Sequence, residues 1–92
     1  MIKSFANKET KTLYETGHSK RFNNFERIAL RKLDMINAAI NLSTLKVPPG
    51  NHLEALTGDR AEQYSIRINS QWRICFKWQG QDAFDVEIVD YH

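Results

Sequence analysis

Cysteine is nearly missing from this chain: Cys75 is the only one in 92 residues. A disulfide framework and a cysteine-rich zinc site are both excluded. Strand-type residues flank Cys75, so it reads as a small half-buried thiol rather than a nucleophile. Long apolar runs are missing too. No window approaches the ~20 apolar residues of a membrane span, and the opening Met1-Ile2-Lys3-Ser4-Phe5 lacks a signal-peptide core. The expectation is a cytoplasmic protein without membrane contact. Neither sign of charge dominates. The net charge of +2 is too small to establish a nucleic-acid partner, so the distribution of charge decides. No His, Asp and Glu trio stands at metal-ligand spacing. There is no Gly-rich phosphate loop and no Gly-x-Ser-x-Gly elbow, which disfavours metal hydrolysis, nucleotide binding and serine hydrolysis. The length suits one small domain, residues 1–92, without repeat or linker.

What is present is strict alternation near the C-terminus. Tyr64, Ile66 and Ile68 alternate with Ser65, Arg67 and Asn69; Trp72, Ile74, Phe76 and Trp78 alternate with Arg73, Cys75 and Lys77. Period two marks strands with one buried and one wetter face. A three-residue turn over 69–71 keeps the faces matched. It pairs Ile68 with Trp72, Ile66 with Ile74, and Arg67 with Arg73. Like charges directly opposite on a sheet are destabilising, so two facing arginines point to an anionic ligand.

The rest of the chain supports that hairpin. Ile2 to Phe5 reads as a short first strand. Asn7 caps a helix over 8–16 that Gly17 ends. Asn23 or Asn24 caps a second helix to about Leu42, with Phe25, Ile28, Ala29, Leu33, Ile36, Ala39 and Ile40 as its apolar stripe. Arg27, Arg31, Lys32 and Asp34 lie largely off the stripe; the cations, with Lys20 and Arg21, form either a solvated face or a footprint for ribosomal RNA. Val47-Pro48-Pro49-Gly50 stops regular structure. A turn at Gly80-Gln81-Asp82 leads into a last strand, 83–91, with Phe84, Val86 and Ile88 facing the core. A three-residue turn there sets Arg73 opposite Val89 and one diagonal step from Tyr91. The expected fold is α+β, with two N-terminal helices on a small antiparallel sheet in the order β-α-α-β-β-β.

Several stretches carry a resemblance: Met1 to Phe5, Leu53-x-x-Leu56-x-Gly58-Asp59-Arg60, Ser65-Ile66-Arg67, Gln71-Trp72-Arg73-Ile74 and the closing Asp90-Tyr91-His92. Together they resemble the HigB-type toxins, the plasmid maintenance killer proteins of the RelE superfamily. The resemblance implies a RelE-like fold and a ribosome-dependent endoribonuclease that cuts mRNA in the ribosomal A site. The cut proceeds by 2′-oxygen attack on the adjacent phosphate, without metal or organic cofactor. It also implies a helix-turn-helix antitoxin partner of the HigA type, with operator DNA bound only through that complex. Arg73, Asp90, Tyr91 and His92 match the active-site pattern, and Arg60 the Gly-Asp-Arg turn. Some HigB toxins carry a histidine and a lysine beside that turn, where this chain has Glu54 and Thr57.

The chemistry needs a base, an acid and cations around a charged phosphorane. His92 has a suitable ordinary pKa. Arg73 and Arg67 offer planar forks to phosphate. Tyr91 can hydrogen-bond phosphate or stack on a base, and Asp90 orients the terminal residues. Arg67, Arg60, Lys77 and His52 complete the expected substrate contacts. The competing reading is a non-catalytic RNA-binding, ribosome-binding or co-repressor module using the same basic face.

Overall fold

The computed structural model describes residues 1–91; His92 lies outside the described residues. Helix α1, Lys8–Thr16, starts where Asn7 Oδ1 accepts the Thr10 amide at 2.9 Å. It ends where Gly17, at φ +81°, donates its amide to the Leu13 carbonyl at 2.8 Å. The left-handed turn there suits glycine. Leu13 and Thr10 are buried, and the Thr10 hydroxyl oxygen accepts the Ile88 amide at 3.0 Å, fixing the helix to the sheet.

Helix α2, Glu26–Ala38, is shorter than its periodicity predicts. Asn23 and Asn24 do not cap it; they form a single 3-10 turn, Asn23–Phe25, with no side-chain cap. The expected run to Leu42 ends at Ala39, whose backbone is extended. The chain turns back there so that Leu45 closes the core, while Ile40 stays 61% exposed. Lys32 also departs from expectation. It is buried, and its Nζ donates to Asn51 Oδ1. Asn51 in turn donates to the carbonyls of Leu45 at 3.1 Å and Val47 at 3.4 Å. Lys32 therefore holds the 45–51 loop and is no part of a solvated cationic face. Burial first, then the charge of Arg31, lowers its pKa below the ordinary lysine value.

Four strands form one antiparallel sheet in the order β1-β2-β3-β4: Glu54–Ala55, Gln63–Arg67, Trp72–Gln79 and Asp82–Asp90. The N-terminal segment adds two parallel bridges, Ile2 to Ala83 and Phe5 to Val86, in place of a full strand. The hairpin register is the expected one, with Ile66 opposite Ile74 and Arg67 opposite Arg73. The last turn differs. Gln79 pairs with Asp82, so the turn has two residues, not three. A bulge restores the count: the register shifts between Cys75 and Lys77, and Asp85 adopts φ +52°. Above the bulge Arg73 stands opposite Val89, as a three-residue turn would also place it. Below it, Phe84 falls opposite Lys77 and Ala83 takes the core position opposite Trp78. Phe84 is thus moved off the core face by one inserted residue.

Leu13, Phe22, Ala29, Leu33 and Ile36 meet Ile66, Ile74, Phe76, Val86 and Ile88 between helices and sheet. At roughly 25 cal/mol per Å² of apolar surface, such burial is the main stabilising contribution. Among the described residues no helix is long and apolar enough to cross a membrane.

Candidate functional site

The other sheet face carries the arginine pair. Alternation puts Ser65 and Arg67 of β2, and Arg73, Cys75 and Lys77 of β3, on that side. Arg73 is only 7% exposed. Its Nε donates to Ser65 Oγ at 2.7 Å, and its Nη2 to the carbonyls of His52 at 2.5 Å and Ser65 at 3.3 Å. Glu54 Oε2 lies 4.0 Å from the same Nη2. The Tyr91 ring covers the guanidinium, with 5.4 Å from Cζ to the ring centroid. A guanidinium has five N–H donors. Here Nε and Nη2 are tied to the protein. Among the described residues nothing bonds Nη1, and that nitrogen is not sealed from solvent.

The repulsion expected between the facing arginines is relieved by divergence. Arg67 Nε donates to the Asn69 carbonyl at 3.0 Å, toward the turn. Arg73 bonds Ser65, two residues the other way along β2. Both terminal nitrogens of Arg67 remain for a ligand among the described residues.

At the end of β4, the Tyr91 amide donates to the Gln71 carbonyl at 2.7 Å. Asp90 pairs with Trp72 in register and accepts Gln71 Nε2 at 3.0 Å. The strand end is thereby fixed beside Arg73. His52 is reached by its carbonyl rather than its ring; the residue sits at φ +45° with its side chain exposed. Arg60 and Lys77 do not join the arginine pair. Arg60 Nη1 donates to Glu87 Oε1 at 2.8 Å and to Gln63 Oε1 at 3.1 Å. The bond to Glu87 is the largest cause of a pKa raised above the ordinary arginine value. Lys77 pairs with Asp85 at 3.4 Å. Between them, Cys75 is buried. Burial pushes its thiol up in pKa, with Arg60 the largest opposing influence, which makes it inert.

The family model for the HigB-like toxin, the RelE-like toxin of type II toxin–antitoxin system HigB, matches residues 3–92. The chain belongs to this family. It is 36% identical over 80 residues to Toxin HigB-1 of Vibrio cholerae, covering 85% of this chain and 84% of that protein. It is 35% identical over 98 aligned positions to Endoribonuclease HigB of Proteus vulgaris, covering both chains completely. A YoeB–YefM complex from Staphylococcus aureus contains a chain of the same fold, with TM-score 0.62 and 15% identity over 100% of this chain and 98% of that one.

In this HigB-like toxin, sequence reasoning missed one residue of the candidate site and one that holds the loop leading into it. Ser65 is the main fixed partner of Arg73. The expected register already put it one diagonal step from Arg73, on the same face, and that was the available signal. Asn51 is fully buried in the loop just before His52. A lone asparagine after Pro-Pro-Gly gives no sign that a lysine 19 residues earlier will bond it. Glu54 is half-exposed with Oε2 4.0 Å from Arg73 Nη2, so it adds negative charge beside the guanidinium.

Proposed function

We propose that this toxin is an endoribonuclease that cuts mRNA in the ribosomal A site and so halts translation. The observation that carries the reading is Arg73. Its guanidinium is immobilised through Nε and Nη2 and covered by Tyr91, yet keeps Nη1 open opposite Arg67. A preorganised donor of this kind stabilises charge that develops in a transition state without reorganising. The name of the Proteus vulgaris relative supports the same activity.

In the proposed reaction the ribose 2′-oxygen forms a bond to the adjacent phosphorus and the bond to the 5′-oxygen breaks. The products are a cyclic phosphate and a free 5′-hydroxyl. A base removes the 2′ proton and an acid returns one to the leaving oxygen. Arg73 and Arg67 hold the phosphate, Tyr91 positions the RNA, and Asp90 orients the strand end. His92 transfers protons. The reaction uses no metal. Arg60 and Lys77, already paired with carboxylates, serve as weaker outer contacts. The YoeB–YefM complex supports a protein antitoxin as partner; for this chain we propose one of the HigA type.

The test is cleavage of a defined mRNA by purified protein, with and without translating ribosomes and with chelator present, mapping 5′ ends. Cuts within codons only when ribosomes are present are expected. Folded protein that leaves ribosome-bound message intact would overturn the reading.

A further inference from the structure

Arg21 stands outside the site described above. Its guanidinium carbon lies 5.5 Å from the Phe22 ring centroid and 5.8 Å from that of Trp72. Those rings are held firmly. Phe22 is fully buried, and Trp72 packs against Phe22 at 5.5 Å and Phe25 at 5.3 Å. Among the described residues no carboxylate lies within ion-pair distance of Arg21. The side chain is exposed and lines a cleft of about 250 Å³ with Lys8, Glu9, Thr12, Ser19 and Lys20, so three cations face a single carboxylate there.

The location gives this arrangement meaning. Trp72 precedes Arg73 on β3 and pairs with Asp90, the residue before Tyr91. Two arginine–aromatic pairs thus flank the end of β4, Arg73 with Tyr91 on one sheet face and Arg21 with Trp72 on the other.

We infer that Arg21, backed by Trp72 and Phe22, is a stacking platform for an unpaired nucleobase of the RNA, with Lys20 and Lys8 taking flanking phosphates. The inference rests on the reading of this chain as an RNA-cutting toxin. A guanidinium plane stacks on a base as an aromatic ring does, and contact with the two rings limits the positions this one can take. The ligand is single-stranded RNA; a duplex would keep its bases stacked internally.

The experiment measures binding without cleavage. A fluorescein-labelled, fully 2′-O-methylated pentanucleotide, which lacks the attacking hydroxyl, is titrated by anisotropy at low salt. Wild type, Arg21→Lys and Arg21→Ala are compared, and a matched oligomer carries one abasic position. Arg21→Ala is expected to weaken binding about ten-fold, the scale of one base stack. Arg21→Lys should keep the salt dependence of wild type but lose the preference for the intact oligomer over the abasic one. Equal binding by wild type and Arg21→Ala, or no penalty for the abasic oligomer, would overturn the platform. Ribosomal cleavage by wild type is scored separately. If it fails while base-dependent binding persists, the nuclease reading falls and the platform stands. Circular dichroism of the surface variants confirms that each is folded.

Discussion

The Arg73 guanidinium and the Ser65 hydroxyl are 2.7 Å apart and both buried, although they come from different strands. This bond converts a flexible cation into a fixed one. Lysine cannot donate to Ser65 Oγ and the His52 carbonyl while keeping a fork for phosphate. Arg73→Lys should lower ribosomal cleavage by about 10²–10³-fold, the scale of losing one preorganised donor. It should also lower stability by roughly 1–3 kcal/mol by leaving buried acceptors unpaired. Single-turnover cleavage and urea melts check the two parts.

Tyr91 covers Arg73 with its ring, and no hydrogen bond of its hydroxyl is needed for that contact. Tyr91→Phe should leave the Arg73 placement and the melt unchanged. Tyr91→Leu should lose a cation–π contribution of about 0.5–1 kcal/mol. Comparing the two variants in cleavage assays separates the ring from the hydroxyl: a drop with Phe would assign a role to the hydroxyl.

Asp85 holds the bulge that brings Val89 opposite Arg73. Aspartate tolerates φ +52° better than a β-branched residue, and its amide donates to Ser4 Oγ at 2.8 Å. Asp85→Asn should stay within about 0.5 kcal/mol of wild type, whereas Asp85→Val should cost roughly 1–3 kcal/mol through backbone strain. Urea denaturation measures both.

Lys32 gives a pH dependence with a definite sign. Its folded pKa lies below the ordinary 10.5, so the unfolded state binds more protons between those two values. Stability contributed through Lys32 therefore rises with pH in that window, as the buried ammonium is discharged. The raised pKa values of Cys75 and Tyr14 act the other way at alkaline pH, but they are common to both proteins in a comparison with Lys32→Met. The stability difference, wild type minus Lys32→Met, should rise from neutral pH toward 10.5. A flat difference in parallel melts would refute the assignment.

Legibility in the sequence followed the range of the interactions. The Arg67–Arg73 register was readable because alternation and turn length are local and a one-residue slip would expose every core side chain. Helix α1 was readable because Asn7 and Gly17 lie at its ends. The end of α2 was not, since apolar residues continue past Ala38 and only distant contacts of the 45–51 loop turn the chain. Lys32 was misread for the same reason. The bulge at Asp85 was hidden because it compensates the shorter turn, leaving a correct pairing at Val89 and a wrong face for Phe84. Ser65 was within reach of the same register reasoning that paired the arginines, once their need for fixed acceptors is considered.

The parallel bridges of the N-terminal segment have a practical consequence for anyone handling the protein. The amino group of Met1 lies 3.4 Å from Asp82, at the start of β4, while Tyr91 follows its other end. Nine steps of extended chain at ~3.3 Å each put Asp82 about 30 Å from Tyr91 at most, on the scale of the whole molecule. An affinity handle or dye attached at Met1 therefore lies at the opposite end of β4 from Tyr91, the residue that covers Arg73. The same group fused beyond Tyr91 follows directly on the residue that covers Arg73, and loss of activity from such a fusion would say nothing about the chemistry.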